Sequence, residues 1–520
     1  MAVAFSLARD SLQAHLPQAR LLRFRRHGYQ RFVLLRSQIN FHYFWEKKWF
    51  FISLLVGYAI LQAPTPAGLS EHGQIVLAMS AVATLLFITE PLPLPTVPLL
   101  IIVGQVVLLK ANPDKVAQSL MSDSVLFIMG SLMLAVAIVK QRLDRRLAWF
   151  IVQMTGTNLY WISFGITLVC GLLAAFVGEH TVAAMMLPVG MTLITLTSGD
   201  PKKARNVAAI LLFSISYGCS IAGIATPSGG ARNIIIINYW HQFFYDVTDP
   251  ATYRYLVDYI TWIIYAFPMF LLRLPIVTLL LLWTFKPETT DLSRAVARLR
   301  AQVEMEGPIK PSDWLTFLLF GVTIVAWITL SGTLGLGVVA IGGALLFLVT
   351  GLVRWEDINT GVNWGVVLLY AAAVSLGLEM QESGAAQWVA QSMLGFLREV
   401  GAATGTSLYA AISLLTIGVS NTMTAGAAVA VLGPIVLKTA QVSGSDPLTI
   451  GFLTAISSAF GYLTAAAQPA FAIIYASGYL RPKDFWKIGW KMMLVSYVLL
   501  LILAEFYWPL IASPQGGTGP

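Results

Sequence analysis

Long apolar runs fill this 520-residue chain, and two polar clusters, Gly178-Glu179-His180-Thr181 and Ser420-Asn421-Thr422, fall inside such runs rather than between them. Each cluster is followed by a proline-bearing break in a later apolar stretch, 46 positions from Thr181 to Pro227 and 47 from Thr422 to Pro469. That recurrence predicts a duplicated unit of one re-entrant hairpin and one broken helix, the device by which membrane carriers build a polar site at mid-bilayer.

A helix rising about 1.5 Å per residue crosses about 30 Å of hydrocarbon in about 20 residues. Spans are therefore predicted over 49–63, 73–89, 92–109 and 124–139, then over 260–285, 314–330, 334–352 and 364–378. The run 160–196, interrupted at its centre, reads as a hairpin that enters and leaves on one side. The stretch 207–239 is broken by Ala225-Thr226-Pro227-Ser228-Gly229-Gly230, because proline and paired glycines disfavour a continuous helix. The charged linker 286–313 separates the halves, and the second half ends with a hairpin over 388–437, a broken span over 450–475 and a last span over 486–510. The expected fold class is an all-α polytopic membrane protein with about eleven transmembrane helices plus two re-entrant helical hairpins.

Composition agrees, since 57% apolar and 11% charged residues with a mean hydropathy of +0.74 exceed what a soluble globule carries. The net charge of +8 comes from Lys and Arg placed between apolar runs, which speaks against a nucleic-acid partner. Lys140, Arg142, Arg145, Arg146, Lys202, Lys203, Arg205, the linker, Arg354, Arg481, Lys483 and Lys487 share one side if the amino end is cytoplasmic. The first hairpin then opens to the cytoplasm and the second to the outside, so the halves are inverted repeats, with the carboxyl end outside. Residues 1–48 form a basic amphipathic segment without a secretory cleavage pattern, either lying on anionic lipid or solvated as a tail. The membrane expected is a bacterial plasma membrane. Cys170 and Cys219 sit in apolar segments, so neither a disulfide framework nor a metal-ligand set is indicated, and no cofactor is expected.

At the tips and breaks the residue types suit charged solutes. Half-helix N-termini favour carboxylates and C-terminal carbonyls can coordinate sodium, so Ser420, Asn421 and Thr422 can serve an anion and a possible sodium together. Glu179 and His180 are ionisable inside an apolar hairpin, where an unpaired ion costs several kcal/mol. Arg232, next to Asn233 beyond the first break, is the candidate partner of Glu179 or of an anionic substrate, its planar fork matching a carboxylate. A fixed ion pair bracing hairpin against broken helix is the competing structural reading. Arg273 and Glu505 are expected to snorkel to nearby span ends, and Trp49, Trp314 and Trp508 to anchor at interfaces.

The motifs Ile88-Thr89-Glu90-Pro91-Leu92-Pro93-Leu94-Pro95, Ala183-Ala184-Met185-Met186-Leu187-Pro188, Gly223-Ile224-Ala225-Thr226-Pro227 and Ser420-Asn421-Thr422 resemble the divalent-anion:sodium symporter family over about 50–510. The resemblance implies a homodimeric elevator-type transporter of di- and tricarboxylates or sulfate. Scaffold helices then occupy 49–146 and 314–387, transport elements 147–259 and 388–485, with a helix and linker over 260–313 and a last helix and tail over 486–520. It places the two tips on Glu179-His180-Thr181 and Ser420-Asn421-Thr422, and the two breaks on Thr226-Pro227 and Gln468-Pro469. The first tip lacks the family's Ser and Asn, Arg232 stands where a proline is usual, and the second break reads Gln468-Pro469-Ala470-Phe471. A cationic His180 or Arg232 can neutralise substrate charge as sodium does elsewhere, which favours exchange or proton coupling over sodium coupling. Competing classes are a sodium-coupled anion symporter, a sodium/proton antiporter or oxyanion permease using Glu179, and a membrane enzyme with Glu179 and His180 as acid and base.

Overall fold

Backbone inside hydrocarbon must satisfy its own polar groups, so apolar runs of this kind fold as helices that break only where a polar environment compensates. The structure is a computed structural model describing residues 45, 47–93, 95–141, 155–197, 204–297, 310–465 and 467–512. The basic amino segment up to residue 44, the positions Arg142, Arg145, Arg146, Lys202 and Lys203, and residues 298–309 of the linker lie outside the described residues.

In the first half the helices are α1 (Lys48–Gln62), α2 (Glu71–Thr89), α3 (Thr96–Val107), α4 (Pro113–Leu120), α5 (Asp123–Lys140), α6 (Leu159–Val177), α7 (Glu179–Thr197), α8 (Arg205–Ala222), α9 (Ala231–Phe244) and α10 (Tyr259–Thr284). The second half comprises α11 (Pro311–Leu334), α12 (Leu336–Val349), α13 (Trp355–Gly361), α14 (Trp364–Glu382), α15 (Ala385–Glu399), α16 (Gly405–Ser420), α17 (Ala425–Ser443), α18 (Pro447–Ser457), α19 (Pro469–Tyr475), α20 (Pro482–Ile502) and α21 (Trp508–Ala512). Ten described helices are long and apolar enough to cross a membrane, so the chain is an integral multi-pass membrane protein.

Packing repeats with the halves. Hairpin α6/α7 lies against α8 as hairpin α16/α17 lies against α18. Across the repeat, α7 packs on α19 and α17 packs on α9, so each returning hairpin limb meets the far half of the other half's broken helix. Around this block, α5 packs on α12, α11 on α12, and α3 on α14. Asp123, at the start of α5, accepts hydrogen bonds from the backbone N–H of Leu336 (3.0 Å) and Gly337 (2.9 Å), capping α12 from the other half.

Four expectations are corrected. Helix α3 starts at Thr96 rather than residue 92, because Pro93 disfavours a helical conformation at Leu92 before it. The second hairpin starts at Gly405, not at 388, since α15 is a separate amphipathic helix whose apolar face packs on α17. Arg273 does not snorkel: it is 0% exposed, and its Nη2 donates to Tyr462 Oη. Trp508 is a core residue, 1% exposed, with Nε1 donating to Tyr265 O at 3.0 Å.

Candidate functional site

Gly178 forms the first hairpin tip with φ of +90°, a conformation that a side chain disfavours. The next residue, Glu179, opens α7, where the positive end of a helix suits a carboxylate. Its Oε1 lies 3.5 Å from Arg232 Nη1, and the two side chains are 10% and 3% exposed. Glu179 Oε2 and Arg232 Nε and Nη2 have no hydrogen-bond partner among the described residues. The pair sits against the Gly223 backbone, where a Cβ would lie 2.6 Å from Arg232 Nη2 and 3.3 Å from Glu179 Oε2. Only glycine leaves room for the guanidinium inside the break.

The rest of that break is braced by side chains. Asn233 Nδ2 donates to the carbonyls of Gly223 (2.9 Å) and Thr226 (2.8 Å), two of the groups freed where α8 ends. Thr226 Oγ1 donates to Ala175 O in α6, and Ser228 Oγ reaches the same carbonyl at 3.1 Å and Tyr259 Oη at 2.7 Å. Pro227 is buried in a short 3₁₀ turn. These contacts fasten the break to the outgoing hairpin limb, so the Thr226 hydroxyl is engaged by protein.

His180 and Thr181 line a cavity of about 520 Å³ with Lys140, Asp357, Thr360, Asn363 and Ile473. Its polar rim includes the ion pair of Lys140 Nζ with Asp357 Oδ1 at 2.6 Å. The Lys140 ammonium holds the half-buried Asp357 carboxyl below the usual carboxylate range.

At the second tip, Ser420 Oγ donates to Ile417 O at 3.1 Å and Thr422 Oγ1 to Val419 O at 2.7 Å. Asn421 is bifunctional, its Nδ2 donating to Ile417 O (2.8 Å) and its Oδ1 accepting from Leu463 N (3.1 Å), which latches tip to break. Thr422 is exposed, and Thr464 in the facing break is exposed as well. Gln468 is fully buried, its Nε2 donating to Ala459 O and its Oε1 accepting from Ser220 Oγ in α8, and Pro469 opens α19.

Glu179, Arg232, Thr226, Pro227 and Asn233 are thus gathered at the first break, and Asn421 meets the second, while Gln468 bridges to α8. Among the described residues no hydrogen bond joins Thr181 to Ser420, Asn421 or Thr422. Sequence reasoning missed Ser220, Ser228 and Tyr259, which carry no signal beyond lying in apolar helices or turns. It also undervalued Arg273, whose signal is a formal charge inside the 26-residue apolar helix α10.

A family model described as the sodium:sulfate symporter transmembrane region matches residues 45–513. An uncharacterized transporter of Haemophilus influenzae is 26% identical over 448 residues, covering 83% of this chain and 91% of that protein. The sodium-dependent dicarboxylate transporter SdcS of Staphylococcus saprophyticus is 23% identical over 480 residues, covering 85% and 88%. A sodium-dependent high-affinity dicarboxylate transporter 3 of Caenorhabditis elegans is 24% identical over 478 residues, covering 82% of each chain. Among solved structures, the Neisseria gonorrhoeae MtrF protein aligns with a TM-score of 0.53 at 13% identity, covering 89% of this chain and 95% of that one, a likeness of fold alone.

Proposed function

The chain belongs to the sodium:sulfate symporter family, and from that premise we propose that it is a secondary active transporter of small anions, first of all di- or tricarboxylates. Exchange or proton coupling is favoured over strict sodium coupling. The carrying observation is the buried Glu179–Arg232 pair, in which a fixed cation with two unpartnered N–H-bearing nitrogens stands inside the first break. A guanidinium there attracts a carboxylate with no metal ion beside it, and donors left unsatisfied in a buried site favour any anion that completes them.

Glu179 consumes part of that charge, so the pair can act as a gate: protonation of Glu179, or its displacement by a substrate carboxylate, frees Arg232. His180 and Thr181 at the adjoining cavity present polar groups to an arriving solute. The mobile unit is the block of hairpins and broken helices, carried past a scaffold containing α5, α12 and α14 by an elevator mechanism in a homodimer, in a bacterial plasma membrane with the amino end cytoplasmic.

Sodium symport is the second reading, supported by the second tip Ser420-Asn421-Thr422 and by relatives named for sodium-dependent dicarboxylate transport. Uptake of labelled succinate, citrate and sulfate by proteoliposomes, with sodium replaced by choline and with or without a proton gradient, separates the two. Uptake that persists in choline supports the proposal. Strict sodium dependence rejects the coupling scheme and leaves the symport reading.

A further inference from the structure

Arg273 lies within α10, outside both duplicated units, and is fully buried. Its guanidinium sits 4.9 Å from the ring centre of Phe460 and 5.8 Å from that of Tyr462, and Nη2 donates to Tyr462 Oη. Nε and Nη1 have no partner, nor has the hydroxyl of buried Tyr217, whose ring centre is 5.2 Å from that of Tyr462. Among the described residues no carboxylate forms an ion pair or hydrogen bond with Arg273.

Among the described residues, the interior of the two-break block therefore carries two guanidinium groups, of Arg232 and Arg273, against the one carboxylate of Glu179. A desolvated cation without a counterion is costly, and stacking on aromatic faces recovers only part of that cost. The surplus charge lies directly behind the second break, where Tyr462 is buried, Leu463 is only partly so and donates its N–H to Asn421 of the tip, and Thr464 is exposed. Coulomb attraction falls only as the inverse of distance and is weakly screened in a desolvated interior, so Arg273 need not touch an anion to favour it.

We propose that Arg273 is a positioning and charge-selecting residue for the carried anion, supplying at the second break the fixed positive charge that favours a dianion over a monoanion. This rests on the anion-transport reading and adds to it the valence preference and its source. The charge is tethered to α10 rather than borne by a dissociable ion, so the preference is present in sodium-free medium.

The test uses the purified full-length protein in sodium-free choline buffer near neutral pH, measuring by calorimetry the affinities for succinate, a dianion, and monomethyl succinate, a monoanion. In Arg273→Met the succinate affinity is expected to fall about tenfold and the monomethyl succinate affinity about threefold, compressing the ratio between them. Arg273→Lys, which keeps the charge, is expected to keep the ratio. An unchanged ratio in a folded Arg273→Met variant, or a ratio lost in Arg273→Lys, overturns the proposal while leaving anion transport standing. Wild-type protein that binds neither compound, with or without sodium, overturns this inference, and if it also binds neither citrate nor sulfate it overturns the anion reading itself.

Discussion

Ser220 Oγ donates a hydrogen bond to Oε1 of Gln468, joining residues 248 positions apart and tying the end of the first unbroken half-helix to the second break. Gln468 uses both ends of its amide, since Nε2 donates to Ala459 O. The two interruptions are consequently one connected structure rather than two independent loops. Removing the amide in Gln468→Ala leaves a buried hydroxyl and a buried carbonyl without partners, and the expected loss is about 1–3 kcal/mol of stability. Thermal unfolding in detergent checks this, with Ser220→Ala expected to cost less because Gln468 keeps its second bond.

The Glu179–Arg232 pair gives a sharper prediction, because removing one partner strands the other charge. Arg232→Met and Glu179→Leu are each expected to destabilise by about 3–5 kcal/mol, whereas the double variant recovers most of the loss. Stability from unfolding curves, set against uptake, separates the roles. A double variant that is stable but transports nothing identifies participation in transport, and one that is stable and active identifies a brace.

Gly223 is the contact on which that pair rests. A methyl group there meets Arg232 Nη2 at 2.6 Å, so Gly223→Ala is expected to displace the guanidinium and reduce succinate binding at least tenfold. Gly321, where a Cβ meets nothing within 4 Å, is the control, and Gly321→Ala is expected to bind as wild type.

The rim pair gives a pH dependence of definite sign. The Asp357 carboxyl is held low chiefly by the Lys140 ammonium, so its contribution is complete above the ordinary carboxylate range. It is lost as pH falls through the lower folded value. The acid limb of the unfolding profile is expected to flatten in Asp357→Asn, measured by melting temperature across acidic buffers.

Much of this architecture was legible because hydrocarbon imposes a simple rule on sequence. Gly178, Thr226-Pro227 and Gln468-Pro469 stand out as interruptions in apolar runs, and each marks an actual helix end. Helix α15 was hidden because its apolar stripe merges with the flanking runs in a linear reading, although Gln387, Gln391 and Arg398 show an amphipathic face. Arg273 was misjudged for a different reason. Distance to the end of a span says nothing about which face of the helix a side chain occupies, and its face is inward, toward Tyr462. The bonds of Ser228 with Ala175 O and Tyr259 Oη join residues 53 and 31 positions apart, a pairing that no local pattern announces.

The cap that Asp123 places on α12 has a consequence for biogenesis. Its carboxylate leaves the ribosome 213 residues before Leu336 does, so the two N–H groups of α12 that it caps in the finished fold become available to it only after the second half has begun to emerge. That carboxylate is thus one of the points at which the two halves register, beside the Ser220–Gln468 bond, and halves produced as separate polypeptides would meet there.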